Sequence, residues 1–197
     1  MSRISARLAA TGAAVVLALT GVSGVAAADT TTTPASGQAV ITTDVKFLAD
    51  AALNGILVIP LQPADPKLDP NTGLTVTLPV TDGAANIPGF YGHVQFGGGL
   101  LFVNLSTGKS VTFKQLDFSV AKGYFTAVPN GSTTPVPLLD PRGDNVIGRT
   151  GTTQTLNSSS FQVDPAGADY LDGKLGTGYF KGGQKIGSLA LSFTPAS

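Results

Sequence analysis

The sequence contains no cysteine, no tryptophan and no glutamate, and it holds one histidine, His93. Without cysteine there are no disulfides, no thiolate metal sites and no thiol for a lipid anchor. The core must therefore hold by packing alone, which a chain of 197 residues can do as one domain. All 12 acidic residues are Asp. Asp favours turns and caps where Glu favours helix interiors, so together with 25 Gly and 13 Pro it points to strands and turns. Catalytic signatures are missing too. There is no G-x-S-x-G elbow, no phosphate loop and no H-E-x-x-H. A serine triad would need His93 as its base, and no spacing nominates partners. Paired Asp residues serve glycoside hydrolysis, but here they stand in Asp82-Gly83, Asp140-Pro141 and Asp172-Gly173, which read as turns. The chain is expected not to be an enzyme.

Long apolar runs are absent except near the N-terminus. Arg3 and Arg7 precede an apolar or small-residue stretch over residues 8–25, and Ala26-Ala27-Ala28 offers the small side chains a signal peptidase accepts. Residues 1–28 are read as a cleavable signal peptide, residues 29–42 as a flexible linker, and residues 43–197 as a single β-rich domain. No later stretch approaches the roughly 20 apolar residues of a membrane span. With no twin-arginine pair and no hydrophobic, basic tail at Ser197, the product is expected to be secreted, extracellular or loosely held at the cell surface. Cleavage removes Arg3 and Arg7, leaving 10 basic residues against 12 Asp. That balance gives no footprint for nucleic acid or anionic lipid.

What remains is repetitive and β. Residues 74–80 (LTVTLPV), 90–96 and 100–105 alternate at period two. Across residues 111–120 the phase slips near Lys114-Gln115, which reads as a β-bulge or as a boundary between two strands. Asn130-Gly131 is a hairpin signal, and Gly97-Gly98-Gly99 and Gly182-Gly183 read as hairpin turns. Residues 152–156 and 160–163 read as two short strands. Val45, Leu48, Ala49, Ala52 and Leu53 recur at helical spacing, with Asn54-Gly55 as a stop and a strand at 56–61. Asp164 and Pro165 open a second helix, with Ala168, Leu171 and Leu175 on one face, followed by a strand at 186–193. The expected fold is mainly β, an antiparallel β-sandwich or partly open barrel with two short helices near the ends of the domain.

Tyr91, His93 and Gln95 share one face of the 90–96 strand, opposite Phe90, Val94 and Phe96. Two accounts fit this alternation. The polar face is the wetted side of an antiparallel sheet, or Tyr91 and His93 form a ligand and metal site. In the second case a phenolate binds ferric iron and the imidazole supports or ligates it.

The order LTVTLPVTDG, GHVQFGGGLLFV, VTFKQLDFSVAKGYFTAVPNG and VPLLD, closing on DYLDGKLGTGYFKGGQKIGSLALSF, resembles the HtaA domain family of exported actinobacterial proteins. The resemblance covers roughly residues 45–193. It implies a β-rich fold and capture or relay of haem at the cell envelope, through a tyrosine assisted by a histidine. Haem-binding members carry an early Trp and a ligand Tyr in the first third of the domain. This chain has no Trp, and no Tyr between Val45 and Val80. Two functions follow as expectations. One is a non-catalytic protein binding haem through Tyr91 and His93. The other is a structural or adhesive module that contacts a cell-envelope component without haem.

Overall fold

Alternation of apolar and polar side chains runs through most of the chain and sets its strands. In a computed structural model, residues 32–69 and 73–197 are described; the expected signal peptide lies outside them. Their elements are β1 (Ser36–Thr43), α1 (Val45–Leu53), β2 (Ile56–Leu61), β3 (Asp65–Asp69), β4 (Gly73–Asn86) and β5 (Tyr91–Asn104). There follow β6 (Lys109–Ser119), β7 (Tyr124–Pro129), β8 (Val136–Thr150), β9 (Thr153–Val163), α2 (Pro165–Leu175) and β10 (Lys185–Thr194).

Eight strands close on themselves in the order β4-β5-β6-β7-β8-β9-β10-β1, with β1 returning to β4. Every pairing is antiparallel. The result is the expected mainly β, antiparallel fold with two helices, in its barrel form: the barrel is fully closed and carries two extra strands. Inward positions supply the core. Phe125 stacks on Phe96 and lies near Phe118 and Phe161, at centroid distances of 5.7, 4.8 and 5.3 Å.

The seam between β4 and β5 is forked. Residues 80–86 of β4 pair with 91–96 of β5. Beyond that the two strands part: 73–77 of β4 takes β3 as its neighbour, and 99–104 of β5 takes β2. The β2 and β3 arms, joined through residues 62–64, therefore splay across the fork. Both helices pack at this end. α1 buries Phe47 and Ala51, and α2 buries Ala168, Leu171 and Leu175. Asp164 caps α2 by accepting from the Ala166 amide at 2.8 Å. Buried Asn104 donates to the Leu175 carbonyl at 3.1 Å, tying the end of α2 to β5. The segment leading into β1 meets the C-terminal residue, with Thr33 and Ser197 exchanging backbone hydrogen bonds at 2.8 and 3.1 Å.

Five expectations need correction. Residues 29–42 were expected as a linker, but Ser36 onward forms β1, paired on one side to β10 and on the other to β4. Its alternation places Ala39 and Ile41 in the core, which a solvated linker would not bury. Gly97-Gly98-Gly99 is no hairpin turn; it is a bulge inside one long β5, where Gly98 takes φ +95°. Gly182-Gly183 does turn, but between α2 and β10. Residues 153–163 are one strand, and Asp82-Gly83, Asp140-Pro141 and Asp172-Gly173 lie in β4, β8 and α2. The predicted bulge at Lys114-Gln115 is present, with the β6–β7 register shifting between Lys114 and Asp117.

Candidate functional site

Beneath the fork lies an apolar slot. Phe47 and Leu48 of α1 roof it, Val58 and Pro60 of β2 form one wall, and Leu74 and Val76 of β4 form the opposite wall. Leu100 and Phe102 of β5 and Leu171 of α2 complete the floor, and Thr43 is its one polar lining residue. The space measures about 60 Å³. Water gains little there, because it needs two to four polar partners. Around this end Val45, Leu53, Leu57, Ile59 and Leu68 keep their apolar side chains exposed. The slot follows from the topology: where β4 and β5 part, inward side chains lose a covering strand.

Tyr179 stands behind the roof, its ring 6.2 Å from that of Phe47 and its hydroxyl donating to the Phe47 carbonyl at 3.4 Å. Burial, reinforced by the negative charge of Asp50, raises its pKa. The phenol therefore stays protonated at neutral pH. A second shifted group, Asp140, is buried in β8. Desolvation raises its pKa, opposed by the Arg142 guanidinium 3.0 Å from Oδ2 and supported by the charge of Asp164.

Tyr91 and His93 lie elsewhere, on the outer face of β5 where β4 and β5 are zipped. Val94 and Phe96 point inward and are buried, while Tyr91 is 59% exposed and the His93 side chain 47%. Phe90, expected on the buried face, is instead exposed. It sits in the turn at φ +58°, which swings it out of the strand alternation. The Tyr91 hydroxyl accepts from Asn86 Nδ2 at 3.1 Å. His93 Nδ1 meets Asp117 Oδ2 at 2.9 Å. In a neutral imidazole this contact favours the tautomer that donates from Nδ1, the arrangement that orients metal-binding histidines.

A haem site needs an iron donor beside a largely apolar pocket. These requirements fall on different parts of the barrel. The slot offers apolar walls, but no His, Tyr, Met or Lys lines it. Tyr91 and His93 offer donors, but both are half-exposed on an open sheet face. Among the described residues, no walled pocket beside an iron donor is assembled. The slot residues were missed in the sequence because seven strands and two helices, together with Phe180 from the segment between α2 and β10, bring them together. The one local signal was the apolar run of residues 56–61.

No family profile matches the sequence, and no curated protein sequence is similar to it. Among solved structures, the C-terminal domain of HtaA from Corynebacterium glutamicum is similar, with a TM-score of 0.52 and 12% identity. That match covers 84% of this chain and all of the HtaA domain. The haem-binding protein HtaB from the same organism aligns at a TM-score of 0.44 and 10% identity, over 84% of this chain and 96% of HtaB. The HtaA likeness is one of fold, and it is the fold that the resemblance in the sequence implied.

Proposed function

We propose that this chain is an exported, non-catalytic binding protein that holds a small apolar or amphipathic molecule at the forked end of its barrel. The observation that carries this reading is the slot between β2 and β4, apolar but for Thr43 and ringed by exposed apolar side chains. A β-barrel mouth with such walls is a common ligand site. Residues 1–28 direct export, which places the ligand at or outside the cell envelope. Xenon, an apolar probe small enough for a space of about 60 Å³, tests the slot when its titration is followed by amide NMR. Saturable binding is expected, with at least tenfold loss in Val58→Phe, whose larger ring fills the space. No saturation, or binding unchanged by Val58→Phe, would sink the proposal.

A second reading, haem ligated by Tyr91 and His93, is favoured by one observation: Asp117 Oδ2 meets Nδ1 of His93, so the ring is oriented with Nε2 turned away from that contact. Haemin added to the purified protein tests it. A shifted Soret band that disappears in Tyr91→Ala and His93→Ala supports this reading; an unshifted band, or one indifferent to both changes, removes it.

A further inference from the structure

Three neighbouring strands break register at one level of the barrel. β4 shifts between Val80 and Asp82, β5 between Phe96 and Gly99, and β6 between Lys114 and Asp117. Gln115 takes a left-handed φ of +52° to do so. A non-glycine residue seldom adopts that conformation. Gly97 is required because a Cβ there would come within 2.9 Å of Pro63 and 3.1 Å of Thr81. Stacked bulges dent the outer face into a groove of about 570 Å³.

The lining of the groove decides what it can take. Gln95, Gln115, Asp117, Thr81 and Thr126 supply amides, a carboxylate and hydroxyls. Gln95, Asp117 and Thr126 stand directly opposite one another across β5, β6 and β7, so they form one row on the same face. His93 steadies the Asp117 carboxylate at the groove edge. No Lys or Arg lines the groove, so a phosphate or carboxylate ligand meets a negative charge and no positive one. An extended peptide finds no free ladder, because β5 and β6 are paired on both sides here. A neutral polyhydroxylated ligand suits the groove: amides both donate and accept, and a carboxylate accepts two hydroxyl protons. The exposed Tyr91 ring lies on the same outer face of β5, available to the apolar side of a sugar ring.

We propose that this groove on the outer face of β4 to β7 binds neutral saccharide chains, separately from the apolar slot. The test is a titration of the isotope-labelled full-length mature chain with soluble neutral hexasaccharides built on glucose, galactose, arabinose and N-acetylglucosamine, followed by amide NMR. Saturable shifts are expected at residues 81, 95–98, 115–117 and 126 with at least one sugar. Gln95→Ala and Gln115→Gly should each weaken that binding at least tenfold, and Val58→Phe should leave it unchanged. Gln115→Gly relieves the left-handed backbone, so it keeps the fold while removing the amide. Absence of shifts with all four sugars, shifts that map to the fork, or binding that Gln95→Ala and Gln115→Gly leave intact overturns the proposal.

Discussion

Asp140 shows how one side chain ties chemistry to stability. Its carboxyl is buried, with Arg142 on Oδ2 and the charge of Asp164 nearby, and burial dominates to raise its pKa. A raised folded pKa means that folding favours the protonated acid. The stability this contributes is present below the unfolded pKa of Asp and is lost as pH rises through the folded one. Asp140→Asn keeps an acceptor for Arg142 and never carries the charge. Its melting temperature should exceed that of the parent at pH 7, and the advantage should fade towards pH 4. A constant difference across that range contradicts the assignment. Gln154 is a second buried polar group. It is 1% exposed, accepts from the Ile87 amide and donates to the Ala85 carbonyl at 3.0 Å. Gln154→Ala strands both backbone groups, and chemical denaturation should record a loss of about 1–3 kcal/mol.

Among the elements, the helices and the bulge in β6 were legible in the sequence, and the long strands were legible only in part. α1 and α2 follow from apolar spacing, a stop at Asn54-Gly55 and a cap at Asp164, all of which are local. The phase slip at Lys114-Gln115 is local as well. Gly97-Gly98-Gly99 misled because a turn and a bulge both call for glycine at positive φ; what separates them is the matching irregularity in β6, which lies across the sheet. Asp82 and Asp140 misled for a similar reason, since Asp beside Gly or Pro fits either a turn or an irregular strand. β1 was missed because its neighbours, β4 and β10, lie far along the chain. That pairing has a consequence for truncation. A chain beginning at Thr32 should melt like the mature protein, whereas one beginning at Asp44 loses the strand that closes the barrel and should show no cooperative melt. In α2, Leu171 is 1% exposed. Leu171→Ala should cost about 2–5 kcal/mol by leaving a cavity beneath the helix, measurable by urea titration.

At the scale of the whole barrel, the described residues form two unlike concavities. An apolar slot lies at the forked end beside α1 and α2, and a polar groove lies on the outer face of β4 to β7. Composition could announce both kinds of residue but not their separation. The slot needs the topology that parts β4 from β5, and the groove needs bulges in three strands to coincide. The Tyr91 and His93 pair was legible as a shared face. Its exposure was not, because alternation gives the same pattern for a wetted face and a walled site.

The meeting of Thr33 with Ser197 governs how the domain answers tension. β1 and β10 are antiparallel neighbours whose outer ends, Ser36 and Thr194, are partners. Their ladder bonds run perpendicular to the strands. A pull applied between Thr33 and Ser197 therefore loads those bonds one at a time, in a zipper geometry. A pull along the strands would load them together, in shear. A closed barrel can thus open at low force when drawn between Thr33 and Ser197.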